Sequence, residues 1–157
     1  MVEFKLSNNI QLIKEVLLSS NNIEYSFDDA HQEYIKDFEP LIHKNIYYIE
    51  VSEDNDFKGF FFIVRKNELI GEAHLAFLPK AYGKVSKYGK LCLDWVWKNL
   101  DFSVLICPCI EENKLALNCI KKMGFQEYGY LLNAWIKNKK SSNFILLIKT
   151  KYDEVND

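Results

Sequence analysis

Apolar and polar positions along this chain switch between two spacings, and the switches mark its elements. Val2 to Leu6 reads as a short opening strand. From Ile10 to Leu18 the apolar residues recur at helical spacing, with Asn8 and Asn9 ahead of them as caps and Asn21 and Asn22 behind them as a break. A second helix is expected from Asp28 or Asp29 to about Phe38, stopped by Pro40. Three strands follow closely: Ile46 to Val51, Gly59 to Val64 with its consecutive phenylalanines, and Leu69 to Leu78, which ends at Pro79. Asp54-Asn55-Asp56 and Lys66-Asn67-Glu68 lie between them as hairpin turns, which makes the three antiparallel.

Helical spacing returns from Gly83 to Asn99, where Val85, Tyr88, Leu91, Cys92, Trp95 and Val96 form one apolar stripe. Val104 to Cys107 is a short strand. Glu111 to Met123 is a helix with acids at its start, Lys121 and Lys122 in its last turn and Gly124 as its stop. Phe125 to Ile136 and Phe144 to Lys149 form an antiparallel pair across a Lys137 to Ser142 turn. The order β-α-α-β-β-β-α-β-α-β-β predicts an α/β domain, a mixed sheet with helices on both sides. Its centre is the crossover from Leu69–Leu78 through the Gly83 helix to Val104–Cys107, which sets those two strands parallel and adjacent.

Composition narrows the picture. With 157 residues, 48% hydrophobic and 15% aromatic, the chain fills one core, and neither repeat nor linker divides it, so residues 1–157 are expected to form one domain. A net charge of -2 gives no reason to expect a nucleic-acid partner. No apolar run approaches the ~20 residues of a membrane span. Cys92, Cys107, Cys109 and Cys119 lack the spacing of a metal knuckle, so no metal is expected; with no signal peptide ahead of them they read as free thiols of a cytoplasmic protein. Arg65 is the only arginine, so a phosphate site here must rely on lysine and backbone N–H groups.

Three stretches carry a family resemblance. His74-Leu75-Ala76-Phe77-Leu78-Pro79-Lys80-Ala81-Tyr82-Gly83-Lys84 takes a strand through a Pro- and Gly-containing loop into a long helix. Glu112-Asn113-Lys114-Leu115-Ala116 looks like an Asn-x-x-Ala helix start, and Lys122-Met123-Gly124-Phe125 like the Gly-Phe that ends the same helix. Together they resemble the GNAT superfamily of acetyl-CoA-dependent N-acetyltransferases, by motif from about residue 46 onward and by element order alone before it. Phage- and prophage-encoded members, with a Leu-Pro-x-x-Tyr-Gly-Lys style of loop, look especially similar.

The resemblance implies that the two central parallel strands splay, that pantetheine slots between them, and that the helix start beyond holds the diphosphate. Leu75, Ala76 and Phe77 would offer backbone groups on one side of the gap, and Cys107-Pro108-Cys109 would form the other. The family's loop resembles Arg-Gly-x-Gly-x-Gly; Tyr82-Gly83-Lys84-Val85-Ser86-Lys87 keeps only the first glycine, with tyrosine in place of arginine and Lys84 and Lys87 as the available charge. Asn113 and Ala116 complete the expected coenzyme contacts, with Asn113 equally readable as a helix cap. Glu72 and His74, two apart on one strand face, are the candidate bases. The family's acid is a tyrosine seven residues beyond the motif asparagine, where this chain has Ile120; Tyr130, or Tyr128, is the candidate substitute. Thiolate also leaves unaided, since its conjugate acid has a pKa of about 8.5.

The expected function is therefore acetyl transfer from acetyl-CoA to an amine, on a protein or a small molecule, with the oligomeric state left open. The loss of loop glycines and of the tyrosine keeps a second reading alive: a weakly active or inactive GNAT-fold binding protein, phage-associated. A third is an unrelated α/β module in which Gly83 and Asn113 are plain turn and cap residues.

Overall fold

The structure, a computed structural model, describes residues 1–152 apart from the side chains of Ser20, Asn21, Ile23 and Gln32; residues 153–157, assigned by the sequence to the same domain, lie outside the described residues. Seven strands form one sheet: β1 (Val2–Leu6), β2 (Ile46–Glu53), β3 (Asp56–Arg65), β4 (Ile70–Phe77), β5 (Val104–Ile110), β6 (Gln126–Lys137) and β7 (Lys140–Thr150), in the order β1-β2-β3-β4-β5-β7-β6. Among the described residues only β4 and β5 are parallel. The predicted mixed α/β architecture and its central crossover are both present.

Helix α1 (Ile10–Leu17), followed by α2 (Ser20–Ser26), packs on one side of the sheet, and α3 (Val85–Asn99) and α4 (Lys114–Lys122) pack on the other. Side chains alternate across a strand, so the neighbours Phe60 and Phe61 serve different cores. Phe60 packs with Ile13, Val16, Tyr48 and Ala76 beneath α1. Phe61 packs with Ile63, Phe77, Tyr88, Val96 and Leu105 beneath α3. Each such large side chain contributes about 1.5–3 kcal/mol through removal from water, so the larger cluster anchors the domain. Gly89 of α3 lies against Met123, whose sulfur would be 2.4 Å from any Cβ placed there; the glycine lets α4 close onto α3. Among the described residues no helix is long and apolar enough to cross a membrane.

Several boundaries move from their sequence expectations. Asn9 caps α1 as expected, its side chain accepting from Leu12 N at 3.1 Å. Asn21 and Asn22, however, lie inside α2 rather than breaking a helix. The segment Asp29–Asp37 is a 3₁₀ helix, with Asp28 accepting from His31 N. The helix expected from Gly83 starts at Val85, preceded by a 3₁₀ segment over Pro79–Lys84. The helix expected from Glu111 starts at Lys114. The last hairpin turns on Asn138 and Lys139 alone, both at positive φ, with Lys137 paired to Lys140. Strand β5 runs through Pro108 to Ile110, so Pro108 does not terminate it.

Candidate active site

The parallel pair at the centre of the sheet opens partway along. Its ladder consists of Ile70↔Val104, Gly71↔Leu105 and Glu72↔Ile106, and there it stops. Beyond it β4 continues against β3 as far as Gly59↔Phe77, while β5 continues against β7 as far as Ile110↔Phe144.

Alternation of hydrogen bonds fixes what faces the opening. Leu78 N donates to Lys58 O at 3.0 Å, so in this antiparallel pair Ala76 bonds towards β3 while Leu75 and Phe77 point their amide groups the other way. Of the three residues expected to offer backbone groups, Ala76 is thus committed elsewhere; its side chain sits in the core under α1. On the far side, Glu111 N donates to Asn143 O at 2.9 Å, which aims Cys107 and Cys109 at β7 and leaves Ile106 and Pro108 facing β4. Proline stands at the first β5 position beyond the shared ladder whose N–H would have faced the gap unpaired. The side chains of Cys107 and Cys109 are buried, and burial pushes both thiols up, Cys109 to about 12, so neither is a nucleophile at neutral pH.

Asn22 reaches the open end. Its Nδ2 lies 3.1 Å from Phe77 O, and also 2.9 Å from Val16 O and 3.0 Å from Ser19 Oγ, tying α2 to the last residue of β4. Further along α2, burial together with Glu24 and Glu112 raises the pKa of Tyr25. The chain's polarity pattern marked Asn22 only as a helix break; its tertiary bond had no local signature.

Glu72 and His74 do meet. Glu72 Oε1 lies 2.8 Å from His74 Nε2, and Lys66 Nζ holds the other oxygen at 2.7 Å. The His74 bond, with Lys66 behind it, holds the Glu72 carboxyl down at about 2 against a partial burial that works the other way. A carboxylate so stabilised is a weaker base than an ordinary glutamate. An ionised carboxylate only accepts hydrogen bonds, so whenever the ring is neutral its proton sits on Nε2 and Nδ1 carries the lone pair. Phe62 stacks on the imidazole with centroids 4.8 Å apart and planes at 15°, fixing its tilt.

The other candidates are more scattered. Tyr130 lies on β6, with β7 and β5 between it and β4, about 14 Å away at ~4.8 Å per strand. It is exposed, as is Tyr128, and the structure does not bring either to the Glu72–His74 pair. Ile120 is buried in the main core. Asn113 caps α4, its Oδ1 accepting from Ala116 N at 3.2 Å. In the loop, Tyr82 packs against the main core and Val85 is buried within it, while Ser86 is half-buried. Gly83 is exposed and a Cβ there would meet nothing within 4 Å. Lys84 and Lys87 are engaged rather than free: Glu53 at the end of β2 holds Lys84 at 2.7 Å and Lys87 at 3.2 Å. A 3₁₀ segment begins at Pro79 and the α-helix itself at Val85, with Lys84 as its N-cap and no side chain capping it, so the helix start lies two residues beyond Gly83. An amide-bearing arm fits the edge left by Leu75 and Phe77, whereas a diphosphate fits the loop only if Lys84 and Lys87 exchange partners.

A family model described as "Protein of unknown function (DUF2824)" matches residues 4–157. The chain belongs to that family. No curated protein matches this DUF2824 sequence. Solved structures do match its fold. A spermidine N-acetyltransferase from Vibrio cholerae in complex with CoA and spermine superposes with a TM-score of 0.78 over 99% of this chain and 98% of that one, at 14% identity. The dodecameric form of spermidine N-acetyltransferase from the same organism gives 0.75, over 99% and 96%, at 14% identity. This DUF2824 member therefore has the fold of the GNAT N-acetyltransferases.

Proposed function

We propose that this chain is an N-acetyltransferase that moves acetyl from acetyl-CoA to a cationic amine. One observation carries the reading: β4 and β5 part after Glu72↔Ile106 while each stays paired on its outer side. A sheet interior leaves few backbone groups unpaired, and an opening with free amides on one rim calls for a ligand that pairs with them. The CoA and spermine bound to the Vibrio cholerae relative support the choice of ligands. Acetyl-CoA would supply an activated acetyl thioester.

Within that reading the chain's own residues divide the work. The N–H groups of Leu75 and Phe77 bind along the open edge, and the one nearer the acyl oxygen stabilises the charge that develops there. His74 Nδ1 takes the proton that the amine gives up as its nitrogen bonds to the acyl carbon and the carbon–sulfur bond breaks. Glu72 and Phe62 position His74 and are not themselves proton acceptors. No side chain is assigned to protonate the departing thiolate, which takes its proton from water.

A second reading has its own support. The lysines of the loop are already neutralised by Glu53, and Ile120 is buried where the family keeps a tyrosine. A GNAT-fold interaction protein without turnover would look the same. Thiol release from acetyl-CoA, measured with spermidine, spermine and a neutral-chain amine, separates the two. Turnover with the polyamines that is reduced about 100-fold or more in His74→Asn supports the transferase. Coenzyme-dependent stabilisation without thiol release in any arm supports the second reading.

A further inference from the structure

The hairpin between β2 and β3 turns on Asp54 and Asn55, at φ 54° and 65°, and closes on the pair Glu53↔Asp56. Its tip is therefore acidic, and it lies against the most basic stretch of the loop between β4 and α3. Asp56 pairs with Lys58 at 2.7 Å and with Lys80. Glu53 gathers three donors: Lys84 at 2.7 Å and Tyr88 at 2.9 Å on one oxygen, and Lys87 at 3.2 Å on the other. The Glu53 side chain is only 12% exposed although both lysines that hold it are 58% exposed. Such an arrangement resembles a bound anion more than a surface ion pair, which is usually worn loosely. Lys84, Tyr88 and Lys87 keep the Glu53 carboxyl down at about 2, so it stays ionised throughout the neutral range.

We propose that Glu53 is a resident counter-anion of this loop, and that a diphosphate ligand binds by taking Lys84 and Lys87 away from it. This rests on the coenzyme reading of the loop and adds to it a residue that sets affinity. The physical reason is competition. Two ammonium groups on flexible stems can serve the carboxylate or a phosphate, and the ligand's gain is reduced by what Glu53 loses. Tyr88 remains as a neutral donor to Glu53 after the lysines have swung out. Arginine, the usual fork for phosphates, is absent from the loop, so lysine exchange is the charge that the side chains have to offer.

The test measures binding of CoA, and separately of inorganic pyrophosphate, to the full chain by calorimetry at low salt. Glu53→Gln keeps the shape and the bond from Tyr88 and removes the charge. It should bind both ligands about tenfold more tightly than the parent, a gain that shrinks with added salt. Adding Lys84→Gln and Lys87→Gln to it should abolish the gain. Glu53→Asp, which withdraws the charge by one methylene, should give an intermediate gain and serves if the glutamine variant does not fold. A parent that binds CoA no more weakly than either Glu53 variant overturns the proposal and leaves the coenzyme reading standing. Variants that gain pyrophosphate affinity while no protein binds CoA support the counter-anion and sink the coenzyme reading. Failure of both ligands with every variant overturns both.

Discussion

The two ends of β4 were built for different tasks. At its lower end Ile70, Gly71 and Glu72 are laddered to β5, and the packing is closed: a Cβ on Gly71 would lie 2.5 Å from Ile63 Cγ2 and 3.0 Å from Leu105 Cδ2. At its upper end the same strand keeps its β3 partner and gives up the other, and Leu75 and Phe77 face an opening. The closed end holds the strand in register, so the open end can leave backbone groups unpaired without the sheet sliding to satisfy them. His74 and Glu72 sit where one regime gives way to the other, which is where a group that must be both fixed and accessible belongs.

This contrast can be broken from either end. The largest effect is expected where β3 supports the open end. Gly59 has φ 150°, and a Cβ there would lie 2.5 Å from Ala76 O and 2.6 Å from Phe77 Cα. Gly59→Ala should cost about 3 kcal/mol in urea unfolding, because both backbones resist moving. At the closed end Gly71→Ala should cost about 2 kcal/mol, since the obstructing atoms are side-chain methyl and ring groups with a little room to give. If Gly71→Ala proves the more harmful, the ranking of the two ends is wrong.

Between the ends, the histidine is the sharper probe. His74→Asn should lower kcat about 100-fold or more with little change in KM, whereas Glu72→Gln, which only loosens the ring, should lower it about tenfold. Equal losses would mean that the carboxylate takes the proton itself. Glu72 also leaves a mark on stability. Its carboxyl is held from 4.5 down to about 2 by His74 and Lys66. A depressed pKa adds stability above the unfolded value and loses it as pH falls through the folded one. The parent should therefore lose stability between about pH 4.5 and pH 2 more steeply than Glu72→Gln, and the two unfolding curves should converge at the acid end. Smallest is Asn113→Ala, which removes a helix cap for about 1 kcal/mol and should leave coenzyme affinity unchanged if the cap is all that Asn113 supplies.

What the sequence revealed and what it hid divide along the same line. The order of elements along the chain, the crossover, the Asp54-Asn55 turn and the Asn9 and Asn113 caps are local or periodic features, and their spacing alone exposes them. The pairing of Glu72 with His74 was legible for the same reason, because two residues apart on a strand share a face. The rest depends on partners remote in the chain. Asn22 looks like a breaker until Phe77 O stands within reach, and Glu53 looks like a turn flank until it meets Lys84 and Lys87. The strand expected to end at Cys107 is followed by Pro108, whose missing N–H usually interrupts a ladder. Here the strand continues, since the position faces an opening where no N–H is wanted. The distance of Tyr130 from β4 was hidden for a topological reason: chain order did not reveal that β7 would insert between β5 and β6.

The most direct measurement is residue-resolved amide hydrogen exchange with and without acetyl-CoA. The account predicts that Leu75 and Phe77 exchange readily in the free protein and become protected on addition of the ligand, while Ala76, already bonded to β3, changes little. Equal protection of all three before any ligand is added would mean that the opening does not exist, and the transferase reading would fall with it.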